Sequence, residues 1–151
     1  IDKDMPLCDG VEDFIRKCSG RFAMGVVSMA NREDIEYVLN KIGVRRFFTK
    51  IIGAEDVTVC KPNPQAYLEC FKYLDRRRIA DGHYPLNHGE CLVIEDAPQG
   101  IQGGKNAGMK TLGVTNTFEA EILRKAGADS VTKSLVDWMP DSIVQVFCKT
   151  A

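Results

Sequence analysis

Apolar positions recur along this chain with two alternating patterns. Val11, Phe14, Ile15 and Cys18 stand at i, i+3, i+4 and i+7, which predicts an amphipathic helix that Gly20 stops. Phe22 to Ser28, "FAMGVVS", is instead a near-continuous apolar run of strand length. Asn31 then offers an N-cap for a helix with the stripe Ile35, Val38, Leu39 and Ile42, ended by Gly43. Lys50 to Gly53 reads as a short buried strand. Asn63 and Pro64 read as the N-cap and first position of a helix striped by Tyr67, Leu68, Phe71 and Leu74. Residues 76–90 are polar, contain Gly, Pro and Asn, and read as a long surface connection. "CLVIE" from Cys91 is a strand, Pro98 to Ala107 a helix ended by Gly108, and "KTLGV" from Lys110 a strand. Glu119 to Ala126 is a helix ended by Gly127, "DSVT" a last short strand, and Ile143, Val144 and Phe147 mark a final helix.

Continuous apolar strands alternating with amphipathic helices predict a parallel sheet covered on both faces: an α/β, three-layer, doubly wound fold. The formal charge of −1, without a large basic or acidic block, argues against nucleic acid or a membrane surface as partner. No run reaches transmembrane length, and the first ten residues lack the pattern of a signal peptide. None of the six cysteines forms a C-x-x-C pair, and Cys18, Cys70 and Cys91 fall on apolar faces. A reduced, cytoplasmic protein is the expectation.

Ligands of doubly wound sheets sit beyond the carboxyl ends of the strands, so polar residues there are the candidates. Ser28 is a turn residue, or a hydroxyl donor to an anion beside the backbone N–H groups of Met29 and Ala30. Lys61 is a solvated charge, or a cation held by flanking prolines near a positive helix end, which makes sense if an anion lies between them. Asp96 is a cap of the following helix, but that leaves Glu95 unexplained. Adjacent carboxylates near a buried strand end repel each other and resist desolvation. A hard cation such as Mg²⁺, sharing a substrate phosphate, relieves both costs. Gly100, Gly103 and Gly104 inside one helix imply close packing on the sheet and bring its N-terminus near the acidic pair. Arg76, Arg77 and Arg78 read as charge at a helix end, and His83 and His88 lack zinc-ligand spacing. Trp138 reads as packing, and Thr115 and Asn116 lie at a strand end.

Taken together, these stretches resemble the haloacid dehalogenase-like hydrolase superfamily, in its phosphatase and phosphoglucomutase-like branch. "VVSMANRED" resembles the second motif, "CKPNPQAY" the third and "LVIEDAPQGIQGGKNAGM" the fourth. The resemblance implies Ser28 as phosphate ligand, Lys61 as charge-balancing lysine, Asp96 as Mg²⁺ ligand and Glu95 as a ligand or outer-shell partner. The segment "GVRRFFTKIIGAEDV" matches the family's link between the second and third motifs.

One departure stands out. The family's first motif, D-x-D-G-T after an apolar strand, supplies its nucleophilic aspartate. Here D-x-D occurs at Asp2 and Asp4, preceded only by Ile1 and followed by no Gly-Thr, and it reads as linker. Residues 1–151 are therefore expected to be the C-terminal part of one core domain, without the cap domain and without the usual central first strand. Such a sheet has a gap, so the segment alone is expected to be poorly stable and inactive. The missing strand is expected from the N-terminal remainder of the same protein or from a complementing chain. The implied whole is a Mg²⁺-dependent phosphatase acting on a small phosphorylated metabolite through an aspartyl-phosphate. Its rivals are a sugar-phosphate mutase and a non-catalytic binding module.

Overall fold

A computed structural model describes residues 10–148. In chain order these form α1 (Val11–Cys18), β1 (Gly25–Val27), α2 (Arg32–Lys41), β2 (Lys50–Ile52), α3 (Gln65–Ala80), β3 (Leu92–Glu95), α4 (Pro98–Asn106), β4 (Lys110–Val114), α5 (Ala120–Lys125), β5 (Ser130–Thr132) and α6 (Pro140–Phe147). All strand pairings are parallel, as unbroken apolar strands require. β1 pairs with β2, and β4 lies between β3 and β5, so the sheet comes in two pieces.

Pleating divides the side chains between two faces. Val26 and Ile51 pack with Ile35 and Leu39 of α2. Leu92, Ile94, Leu112 and Val114 meet Phe14 and Cys18 of α1 and Ile143 and Phe147 of α6. On the opposite face Val27 and Val93 meet Tyr67 of α3, with Ala107 and Met109 beyond α4. The three-layer α/β architecture is therefore present, with α1, α2 and α6 on one side and α3 and α4 on the other. Close approach explains the glycine-rich α4: a Cβ on Gly104 would lie 2.9 Å from Thr111 Cγ2 and 3.1 Å from Val93 Cγ2.

Helix α3 fixes the direction of the strands. Tyr67 in its first turn meets Val27 and Glu95, which end β1 and β3. Cys70 stands against Gly25 at the start of β1, and Phe71 packs edge-on against His88 just before β3. α3 thus runs antiparallel to both strands, so β1 and β3 point the same way. Their carboxyl ends, and Ser28, Glu95 and Asp96, share one edge of the molecule.

Several boundaries differ from the sequence expectations. The strand expected over Phe22 to Ser28 shrinks to Gly25–Val27, because Arg21 and Phe22 still donate to the Cys18 carbonyl at the end of α1. The connection expected over 76–90 starts only after Ala80. The arginines are good helix formers, sit where the helix end favours cations, and Arg77 pairs with Asp81 at 3.0 Å. Asn31 is the N-cap of α2 by position, but the cap comes from Glu55 Oε1, which accepts from the Arg32 N–H at 2.8 Å. Val144, expected in the apolar stripe of α6, is exposed. Asn63 caps as expected, its Oδ1 accepting from the Gln65 N–H at 2.9 Å. Trp138 stacks on Phe147 and donates to Thr132 Oγ1. Cys18 and Cys70 are buried, and burial pushes the Cys70 thiol up to about 12.

Asp129 ties the far edge of the sheet. Its carboxylate accepts from Lys105 Nζ at 2.9 and 3.0 Å and from the Thr111 N–H at 2.8 Å. Partial burial works against ionisation there, but Lys105 and Thr111 outweigh it and hold the carboxyl below its usual range. A depressed folded pKa stabilises the fold above the unfolded carboxylate value of about 3.9 and loses that stabilisation as pH falls through the folded value. Asp129→Asn is therefore expected to lower stability at pH 7 by about 1–2 kcal/mol. The deficit should shrink as pH falls through the folded pKa in denaturant titrations of variant and parent; a pH-independent deficit would refute the charge-based account.

Candidate functional site

Lys61 lies in the turn between β2 and α3, and the Lys61–Pro62 peptide is cis. Its Nζ donates to Glu95 Oε2 at 2.9 Å, with both side chains largely buried, at 13% and 15% exposure. The Tyr67 hydroxyl donates to the same oxygen at 3.1 Å, and the ammonium lies 5.2 Å from the Tyr67 ring centroid. Burial first, then the charge and hydrogen bond of Glu95, push the Tyr67 phenol upward, so it stays protonated and remains a donor. Glu95 Oε1 accepts from the Asp96 N–H at 3.2 Å. Gly100, in the first turns of α4, leaves the space that the Glu95 carboxylate fills: a Cβ there would collide with it.

Asp96 behaves differently. Its Oδ2 accepts from Thr117 Oγ1 at 3.1 Å, in the loop after β4. The N-cap of α4 is Ala97, without a side-chain cap, so the helix-capping reading of Asp96 does not hold. Glu95 ends β3 in phase with Val93 and meets Tyr67, whereas Asp96 lies just past the strand and bonds to Thr117. The repulsion inferred from their adjacency is eased because the Glu95 charge is offset within the protein by Lys61. The anion inferred beside Lys61 is, in this structure, Glu95 itself.

Ser28 ends β1. Its N–H donates to the Ile52 carbonyl at 3.0 Å, and its Oγ accepts from the Ala30 N–H at 3.1 Å. Of the two backbone donors expected for an anion, Met29 and Ala30, the second is thus engaged by Ser28. The occupied lone pair leaves the hydroxyl proton of Ser28 to donate elsewhere. Lys61, Glu95 and Asp96 are brought together, and Ser28, Met29 and Ala30 stand on the same edge, across a cleft lined by Val27, Glu95 and Asp96. Asp2 and Asp4 lie outside the described residues.

Tyr67 and Thr117 were not singled out by sequence reasoning. Tyr67 looked like one more apolar residue of a helical stripe; its hydroxyl, in the first turn after Lys61, was the available signal. Thr117 carried no signal, because only the fold of the β4–α5 loop brings it to Asp96.

A hard divalent cation fits this donor set in one way. Mg²⁺ takes one or two carboxylates and keeps its other positions for water and substrate oxygens. Asp96, whose Oδ1 lies outside the Thr117 bond, could supply one such carboxylate, with Glu95 beside it already engaged by Lys61, Tyr67 and the Asp96 N–H. Among the described residues no group of three or more His, Cys, Asp or Glu side chains could enclose a metal. His83 and His88 take no part in such a group.

The chain is similar to known proteins in sequence and in fold. The chain is 31% identical over 138 residues to validoxylamine A 7′-phosphate phosphatase of Streptomyces hygroscopicus subsp. limoneus, covering 89% of this chain and 59% of that protein. It is 33% identical over 116 residues to glycerol-1-phosphate phosphohydrolase 2 of Saccharomyces cerevisiae, covering 72% and 42%. The chain thus spans about half the length of these curated relatives. Among solved structures, β-phosphoglucomutase from Clostridium difficile superimposes with a TM-score of 0.74 at 25% identity, over 94% of this chain and 56% of that one. Among the described residues no helix is long and apolar enough to cross a membrane. The model of the haloacid dehalogenase-like hydrolases matches residues 1–114, and the chain belongs to that family.

Proposed function

We propose that this chain carries the phosphate- and metal-binding half of a Mg²⁺-dependent phosphatase acting on a small phosphorylated metabolite. The observation that carries the reading is the Lys61–Glu95–Asp96 cluster at the carboxyl edge of a parallel sheet, with the ammonium 2.9 Å from Glu95. Relatives named as a phosphatase and a phosphohydrolase support it.

The residues divide the work by their chemistry. An ammonium has three donors, and Glu95 takes one, which leaves two for phosphoryl oxygens. Glu95, itself held by Tyr67, fixes where those donors point. Ser28 offers its hydroxyl proton from the end of β1, beside the Met29 and Ala30 backbone. Asp96, with Glu95 beside it, would hold Mg²⁺, and Thr117 orients the Asp96 carboxylate. The bound ion supplies positive charge against the phosphoryl oxygens as charge shifts in the transition state. The nucleophile is an aspartate from the N-terminal remainder of the protein or a complementing chain, attacking phosphorus in line to form an aspartyl-phosphate that water cleaves. The preorganised donors of this chain then contribute mainly positioning and electrostatic stabilisation.

A second reading, a sugar-phosphate mutase, is favoured by the superposition on β-phosphoglucomutase. The two differ in the acceptor of the phosphoryl group, so release of inorganic phosphate against formation of an isomeric sugar phosphate separates them. A non-catalytic module would bind Mg²⁺ and phosphate without turnover.

The test is Mg²⁺-dependent hydrolysis of an aryl phosphate by the full-length protein. Asp96→Asn and Lys61→Met should each lower kcat/KM by about 10²–10³-fold. Tyr67→Phe should cost about 10-fold, as loss of an outer partner does. Unchanged rates in the first two would remove these roles.

Stability gives an independent measurement. Lys61→Met leaves a largely buried carboxylate without its cation and should destabilise by about 3 kcal/mol. Adding Glu95→Gln to that variant should recover a large part of the loss in chemical denaturation. Simple additivity of the two substitutions would show that the pair does not couple.

A further inference from the structure

Two loops meet beyond the carboxyl ends of the paired strands β1 and β2. The first, Ser28 to Asn31, leads into α2; the second starts at Gly53 and makes a single 3₁₀ turn, Ala54–Asp56. The Ser28 N–H donates to the Ile52 carbonyl at 3.0 Å, and the Ala54 N–H donates to the Ala30 carbonyl at 2.9 Å. Glu55 Oε1 accepts from the Arg32 N–H at 2.8 Å. Asp56 serves both loops: Oδ2 accepts from the Gly53 N–H at 2.8 Å, and Oδ1 lies 3.4 Å from the Arg32 guanidinium. Gly53 is buried in this contact. A Cβ there would lie 2.5 Å from Glu55 Oε1, 2.8 Å from the Arg32 nitrogen and 3.1 Å from the Ala30 oxygen. The loops close on each other with no room for a methyl group.

The donors of the first loop show what this closure does. The Ala30 N–H is spent on Ser28 Oγ and the Arg32 N–H on Glu55. The Ser28 hydroxyl proton and the Met29 N–H have no partner among the described residues. Arg32 is the first residue of α2, and Asn31, the N-cap residue, makes no side-chain cap. An N-cap side chain reaches the second or third helical N–H, not the first. The Arg32 N–H therefore needs an acceptor from elsewhere, and Glu55 supplies it. Helix capping accounts for that bond alone. It requires neither the Ala54–Ala30 bond nor an aspartate that holds both loops. Together these contacts fix the backbone on the far side of the two unspent donors.

We propose that Glu55 is a positioning residue for the phosphate site. By clamping Arg32, it holds the Ser28–Ala30 turn against the 53–56 turn, so that the Ser28 hydroxyl and the Met29 N–H are presented together from a fixed backbone. Glu55 touches no ligand and acts only through that backbone. The contact uses an acceptor oxygen, and the negative charge works against an incoming phosphate, so an amide at this position serves as well. The inference rests on the proposed function for what the turn binds, while the clamp itself is independent of it.

Amide hydrogen exchange of the full-length protein, without Mg²⁺ or phosphate, reads the clamp. Glu55→Ala should speed exchange at Ala30 about 10-fold and leave Leu39, near the far end of α2, unchanged. Glu55→Gln should stay within about 2-fold of the parent, since its amide oxygen still accepts. Gly53→Ala, which forces the loops apart with Glu55 intact, should match Glu55→Ala. Hydrolysis of an aryl phosphate reads the consequence. Glu55→Ala should raise KM and the inhibition constant of orthophosphate about 10-fold with kcat nearly unchanged, because donors that hold the phosphoryl group before and during transfer contribute uniform binding. The Mg²⁺ concentration for half-activation should not move, and Glu55→Gln should restore the parent KM. Unchanged exchange at Ala30 in Glu55→Ala would overturn the proposal. So would equal acceleration at Leu39, which would mean that α2 loosens as a whole, or a Glu55→Gln variant as impaired as Glu55→Ala. Faster exchange at Ala30 with KM and orthophosphate inhibition unchanged would overturn it too. A parent protein without hydrolysis would count against the proposed function alone, with the exchange response deciding for or against the clamp.

Discussion

The Lys61–Glu95 ion pair organises this edge of the molecule. Both groups are largely withdrawn from water, and such a pair is tolerable only when each charge has its partner and further hydrogen bonds. The Tyr67 hydroxyl and the Asp96 N–H meet the remaining demand of Glu95. Each contact recruits a different element: the β2–α3 turn, the first turn of α3, the end of β3 and, through the room left by Gly100, the start of α4. A displaced lysine would leave a buried carboxylate uncompensated. The pair therefore fixes the relative position of four segments more than it adds net stability.

Much of this fold was legible because its strands are short apolar runs and its helices end at glycines. Gly43, Gly108 and Gly127 all adopt positive φ beyond their helices, the left-handed conformation that stops a helix. What escaped depended on contacts distant in sequence. Glu55 caps α2 from 23 residues away, a role that Asn31 seemed to hold by position. The extra turn of α3 rests on arginines whose polarity suggested a loop. At the site, Ser28, Lys61, Glu95 and Asp96 were readable from their places at segment ends. The Lys61–Glu95 contact was not, because no spacing encodes a pairing over 34 residues.

The same parallel topology that makes the site also leaves a weakness. Parallel strands need helical crossovers, so neighbours in the sheet are far apart in sequence. Here β1 and β3 are separated by β2 and α3, and no described segment lies between them in the sheet. α3 packs on both sides of the cleft, and Tyr67 touches both strand ends. Helical layers thus hold the two pieces of sheet together where hydrogen bonds do not.

The adjacent acids at the end of β3 pose a problem that their different partners answer. Glu95 turns toward α3, is neutralised by Lys61 and becomes part of the scaffold. Asp96 turns toward the β4–α5 loop, where a neutral hydroxyl from Thr117, rather than a cation, orients it. One ammonium against two carboxylates leaves these three side chains with a formal charge of −1, and the negative charge not offset inside the protein rests on Asp96.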